Sequence, residues 1–154
     1  MGEYKKPYLD SSVFIGWVKA EVVEGIERGR IAECILSSAE KGDFFVYTSA
    51  LTLAEVHKMK HGSALTDDND KRILDYLERN SVKLIDIDRR VGEKANELCR
   101  QYGLSPNDAV HLASALKAGC EVLLAWDRRF TDVSITDISI EEPGIDQGNL
   151  FEQT

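Results

Sequence analysis

Residues 105–127, SPNDAVHLASALKAGCEVLLAWD, read as a capped helix, a glycine stop and an apolar strand that ends on an acid. Ser105 stands at the N-cap, Pro106 fits the first turn, Asp108 takes the third helical position and Gly119 stops the helix. Ala109, Leu112, Ala113 and Leu116 recur at helical spacing and give it one apolar stripe. EVLLAW at 121–126 is then the strand, and Asp127 its exit. A helix leading directly into a buried strand is the repeating half of an α/β layer.

The same alternation continues on either side. PYLD at 7–10 is a short strand running into a helix at 12–20. A helix at 24–41 follows, with Ile31, Ile35, Leu36 and Ala39 on one face. FFVYT at 44–48 is a buried strand, and a helix at 50–61 begins after Ser49. TDDNDKRILDYLER starts with Thr66 as N-cap and an acidic first turn. VKLIDI at 82–87 is a third strand, 89–102 a helix ended by Gly103, and 135–140 a short last strand. The order predicts an α/β fold of three layers, a mainly parallel central sheet flanked by helices. One domain over residues 1–142 and a loose acidic tail at 143–154 account for the chain.

At 154 residues the chain is long enough to bury a core, and 43% hydrophobic with 30% charged residues describes a globular protein. No window approaches a membrane span, and MGEYKKPYLD carries no apolar signal stretch, so no membrane partner and a cytoplasmic location are expected. Cys34, Cys99 and Cys120 are odd in number and widely spaced, which argues for reduced thiols rather than disulfides or a thiolate metal site. The net charge of −8 is concentrated at the end: six acids and no Lys or Arg follow Arg129, leaving 21 acids against 19 bases before it. Global charge therefore neither excludes an anionic substrate nor argues for one.

Asp10 and Asp127 sit at the carboxyl ends of their strands, and Glu55 and Asp108 near the starts of helices. In an open parallel sheet these positions share one edge, where ligands bind. Carboxylates gathered there repel unless a cation is present, and an all-oxygen set suits Mg²⁺ or Mn²⁺ rather than zinc. Each acid also has an ordinary explanation. Asp108 completes a capping box, Asp127 caps the DRRF turn, Asp10 caps the next helix, and Glu55 lies on a solvated helix face. Four such explanations holding together at these four places is the less economical account.

YLDSSVFI, SALTLAEV, SPNDAVHLASAL and LLAWDRRF resemble, in order, the signature blocks of the PIN domain, nearest to its VapC-like toxin branch. The resemblance covers about residues 7–140. It implies a Mg²⁺- or Mn²⁺-dependent endoribonuclease that hydrolyses single-stranded RNA. Asp10, Glu55 and Asp108 would be the main metal ligands, and Asp127 would complete the acidic pocket or hold a second ion. Ser11 or Ser12 would touch the metal's water shell. Where the family usually has Thr or Ser, two residues before the fourth acid, this chain has Ala125, and reduced rather than absent activity is the expectation. The implied chemistry is water attack on the scissile phosphorus, with Asp108 or Glu55 orienting or deprotonating the water.

The toxin reading also implies a small antitoxin that covers the pocket, and a homodimer. Phe14, Ile15, Trp17 and Val18 crowd the helix after Asp10, with Val22 and Val23 beyond; an exposed groove or dimer face is set against a helix buried on two sides. Arg128, Arg129 and Lys58 are the candidate RNA contacts, each weighed against a solvated helix face. Trp126 is weighed between base stacking and core, His57 and His61 as surface residues, and His111 as a packing or hydrogen-bonding group. Two other readings remain beside the toxin. One is a PIN-like module that binds RNA or protein with weak or no cleavage; the other is an RNA maturation or decay nuclease without an antitoxin. A phosphotransferase or receiver domain fits poorly, since Ser12 stands where a haloacid-type phosphatase needs a second Asp.

Overall fold

A computed structural model of the chain describes residues 6–56 and 67–144. Lys58, His57, His61, Thr66 and most of the expected tail lie outside the described residues. The elements run β1 (Pro7–Leu9), α1 (Ser11–Val18), β2 (Val22–Val23), β3 (Ile26–Glu27), α2 (Arg28–Glu40), β4 (Val46–Ser49) and α3 (Leu51–Glu55). They continue with α4 (Asp67–Leu77), β5 (Val82–Ile85), α5 (Arg89–Tyr102), α6 (Pro106–Lys117), β6 (Val122–Leu124), α7 (Arg128–Thr131) and β7 (Ser139–Glu141).

Five strands form one sheet in the order β5-β4-β1-β6-β7, and every pairing in it is parallel. Tyr8 pairs with Tyr47 on one side and with Leu123 on the other, so β1 is the centre. Side chains alternate across the sheet, and the two cores follow that period. Leu9, Val46, Val122 and Leu124 face a core built with α1, α2 and α4. Tyr8 and Leu123 face the other, built with α5 and α6. This is the three-layer architecture expected from the sequence.

The chain steps outward from β1 through β4 to β5, then returns to the far side of β1 with β6 and β7. The order therefore reverses between β1 and β6, and the crevice beyond the carboxyl ends of those two strands is the natural ligand site of such a sheet. Asp10 follows β1 directly, and Asp127 closes the turn after β6.

Several boundaries differ from the sequence-based expectation. The helix predicted from residue 24 begins only at Arg28, because residues 22–27 form an antiparallel hairpin pairing Val22 with Glu27 and Val23 with Ile26. Its two-residue turn puts Glu24 at φ 51° and Gly25 at φ 78°, the left-handed pair that matches the twist of a tight hairpin. The second strand is shifted to Val46–Ser49.

The apolar crowd on α1 is largely internal. Val13, Phe14, Ile15 and Val18 are buried, and Trp17 packs edge-on to Tyr76 of α4 with Arg72 over its ring. The two-sided buried helix is thus what the structure shows, and α1 offers no exposed apolar groove. Val22 and Ile26 of the hairpin are the exposed apolar residues nearby.

Gly29 lets α2 approach the end of α1. A Cβ there would lie 2.7 Å from the Ala20 Cα, a backbone atom that cannot swing aside. Gly29→Ala is expected to destabilise the fold by about 1–3 kcal/mol, the usual range for overpacking, read as a lower urea midpoint with an unchanged slope.

All three cysteines are free. Cys120 is buried and its thiol is pushed up to about 12 by burial, so it stays protonated. No helix among the described residues is long and apolar enough to cross a membrane.

Candidate active site

The four acids come from four different elements and line one cavity of about 880 Å³. The local forces that place them are simple. Asp10 is the N-cap of α1, its carboxylate accepting from Ser12 N–H at 3.2 Å, while its own N–H is held by Leu124 of β6 at 3.0 Å. Asp127 caps α7 in the same way, accepting from Arg129 N–H at 2.9 Å. Asp108 lies in the first turn of α6, with its N–H donating to the Ser105 hydroxyl at 3.3 Å. Capping and the acidic cavity are therefore not alternatives for these three residues; the caps are what aim the acids.

Glu55 is different, because no cap fixes it. It is the last residue of α3, and its side chain is only 10% exposed rather than solvated. His111 Nε2 lies 2.5 Å from its Oε1, and Asn107 Nδ2 donates to its Oε2 at 3.2 Å. His111 is fully buried in α6, one turn beyond Asp108, and its Nδ1 lies 2.7 Å from the Tyr8 hydroxyl. Its Nε2 also sits 3.3 Å from Asp10 Oδ1. In the neutral ring Tyr8 donates to Nδ1; in the imidazolium Nδ1–H donates to the Tyr8 oxygen. Either way Nε2 carries its hydrogen toward Glu55 and Asp10, so the ring orients the two acids.

The protonation equilibria carry the mark of this crowding. Burial and the charge of Asp10, with Asp127 behind it, raise the Asp108 pKa above its ordinary value of 3.8. Burial would do the same to Glu55, but hydrogen bonding and charge from His111, with help from Ser11 and Asn107, bring it below normal. Burial opposes charge on His111, yet its hydrogen bond to Glu55 and the charges of Asp10, Glu55 and Asp108 outweigh it and raise its pKa. The Tyr8 hydroxyl is held far above its usual range by burial and by Asp10, and stays protonated.

These groups fit a divalent ion. Single carboxylate oxygens of Asp10 and Glu55 and His111 Nε2 all lie within 4.8 Å of one another; since Nε2 carries hydrogen, the two carboxylates are the ligands of this group. Asp108 and Asp127 stand on the same cavity but outside that tight group. The carboxylate oxygens are hard donors, the type Mg²⁺ and Mn²⁺ select. Asp88, by contrast, caps α5 and pairs with Lys117 at 2.7 Å.

Ser11 and Ser12 both line the cavity. Ser11 acts on Glu55, and the Ser12 hydroxyl accepts from Trp126 N–H at 3.4 Å. Arg128 and Arg129 are exposed at the start of α7 and do not line the cavity; among the described residues the cations that do are Lys19 and Arg28. Sequence reasoning passed over both, as it did Asn107. Ala125 is fully buried in the core against α5 and α6.

The PIN domain family model matches residues 8–135, and the chain belongs to the PIN domain family, which indicates a nuclease. Solved structures of the same fold include the Mycobacterium tuberculosis VapC20 toxin, described as cleaving the sarcin–ricin loop. It is 18% identical, with a TM-score of 0.63, covering 87% of this chain and 99% of that one. A toxin–antitoxin complex from Klebsiella pneumoniae is 20% identical at a TM-score of 0.61, covering 88% of this chain and 100% of that one. VapBC2 from Rickettsia felis, bound to a DNA fragment of its promoter, is 18% identical at a TM-score of 0.61, covering 88% and 97% respectively. No curated protein sequence matches the chain.

Proposed function

We propose that this protein is a Mg²⁺- or Mn²⁺-dependent endoribonuclease that hydrolyses phosphodiester bonds of single-stranded RNA, acting in the cytoplasm as the toxin of a toxin–antitoxin pair. The observation that carries the proposal is the convergence of Asp10, Glu55, Asp108 and Asp127 on one cavity, from segments spread over most of the chain. The likeness of the fold to toxins, two of them solved in antitoxin-type assemblies, supports the partner; a homodimer is part of the same reading.

Asp10 and Glu55 would hold the ion, with Asp108 and Asp127 lining the same cavity. A bound divalent ion would acidify water and offset phosphate charge. Glu55, tied to His111 and depressed in pKa, is a fixed anion and a poor base. Asp108, raised in pKa and free of that tie, is the better acceptor for the proton of the attacking water. His111 would position Glu55 and Asp10 without touching substrate. His111→Ala would strand the Glu55 carboxylate and the Tyr8 hydroxyl in the interior. Activity is expected to fall about 10–100-fold, the usual cost of losing an orienting partner, with Tyr8→Phe losing less. Single-turnover cleavage of labelled RNA by folded variants checks the order.

Incubation of the purified protein with single-stranded RNA and Mg²⁺, Mn²⁺ or EDTA tests the activity, and co-purification with the product of an adjacent short reading frame tests the partner. Ala125 is the feature that would favour a binding module of the same fold. RNA binding without metal-dependent cleavage would decide for that reading.

A further inference from the structure

Beside the carboxylates, the cavity is lined by Lys19, Glu21, Arg28 and Trp126. The Arg28 guanidinium carbon lies 4.8 Å from the centroid of the Trp126 ring, a stacked cation–aromatic pair. Arg28 Nε and Trp126 Nε1 are both buried N–H donors with no hydrogen-bond acceptor, and Trp126 is only 5% exposed. Arg28 forms no ion pair with any described carboxylate, Glu21 included.

A buried donor left unpaired is costly. Two of them on one cation–aromatic pair, whose residues both line the cavity, leave donors there that an acceptor would satisfy. Arg28 is also the first residue of α2, and Glu27 before it makes no side-chain cap bond, so the positive end of this 13-residue helix adds to the charge. An oxyanion satisfies all three features: charge, a planar fork and a second donor.

The geometry points to Arg28 and Trp126 as a subsite for a phosphate of the RNA strand other than the one being cut, an inference that rests on the ribonuclease reading. With the scissile phosphate at the acids, a strand lying along this cavity would bring a neighbouring phosphate to this part of its wall. The subsite counters the repulsion that an acidic cavity exerts on an anionic chain. It also fixes which linkage reaches the carboxylates.

The test is binding and cleavage of a short, labelled, single-stranded RNA of mixed sequence. Fluorescence anisotropy in EDTA reads affinity without cleavage. Arg28→Met is expected to raise Kd about tenfold and to lower the slope of log Kd against log salt by about 0.7. A merely structural role would not move that slope. Arg28→Lys should keep the slope and recover only part of the affinity, since it lacks the fork. Trp126→Phe, which keeps a ring and removes the indole N–H, should lose less than Arg28→Met. With Mn²⁺, KM should rise in these variants more than kcat falls. Circular dichroism verifies folding, and Arg28→Lys serves if Arg28→Met does not fold. Unchanged Kd and salt slope in folded Arg28→Met, or an unchanged Kd in Arg28→Lys where Arg28→Met does not fold, would overturn the subsite, as would a wild type that binds no RNA. RNA binding with these dependences but no metal-dependent cleavage would keep the subsite and defeat the ribonuclease reading instead.

Discussion

Asp10→Asn is expected to abolish RNA cleavage, by about a thousandfold or more, while leaving the fold intact. The size follows from the position. Asp10 touches the tight group with Glu55 and His111 and lies beside the crevice where the strand order reverses. On the proposed reading, removing its charge from a site that would hold a cation against a phosphate forfeits roughly 4 kcal/mol of transition-state stabilisation. The fold survives because Asn caps a helix as well as Asp does, and because the Asp10 N–H bond to Leu124 belongs to the backbone. Melting temperatures within about 2 °C of wild type, a small change for a domain of this size, would separate lost chemistry from lost structure. EDTA should silence the wild type equally. Full cleavage by a folded Asp10→Asn variant would refute the acidic site as the catalytic centre.

What could be read in advance, and what could not, follows from the range of the interactions. The sheet and its flanking helices were legible because β1, β4 and β6 carry their apolar residues at strand spacing and α6 at helical spacing, both local patterns. Asp10, Asp108 and Asp127 were legible for a related reason. Strand ends and helix starts share one edge of a parallel sheet, so local signals already placed them. The hairpin at 22–27 escaped because its strands are only two residues each, too short to show a strand period. Glu55 looked like a residue of a solvated face, since its burial comes from His111, fifty-six residues away in sequence. Arg28 and Lys19 carried no signal at all. They reach the cavity only because Gly29 allows α2 to close on the end of α1, a contact that no local pattern announces.

Asp108→Asn should do two opposite things: depress cleavage and stabilise the metal-free protein. Burial and the charges of Asp10 and Asp127 raise the folded-state pKa of Asp108 above its unfolded value. In the window between those values the native state binds more protons than the unfolded state, so stability falls as pH rises through the folded pKa. Below the ordinary value of 3.8 both states are protonated and the group contributes no penalty. At neutral pH the ionised carboxylate therefore costs stability, though less than its burial alone suggests, because part of it faces solvent. Asparagine removes that charge and keeps the shape. The variant in EDTA at pH 7 is expected to melt about 2–4 °C higher, the shift of a change near 1 kcal/mol in a chain of this length. The gain should shrink as pH is lowered toward the ordinary Asp range. Mg²⁺ or Mn²⁺ should reverse the order, since a cation favours the ionised carboxylate and its binding stabilises the wild type by mass action more than the variant. Differential scanning calorimetry at two pH values, with and without metal, reads all of these shifts. A variant that melts below wild type in EDTA at neutral pH would show that the Asp108 carboxylate is stabilised by its side-chain hydrogen bond with Ser105 more than it is strained by its acidic neighbours, and the electrostatic account of the cavity would fail with it.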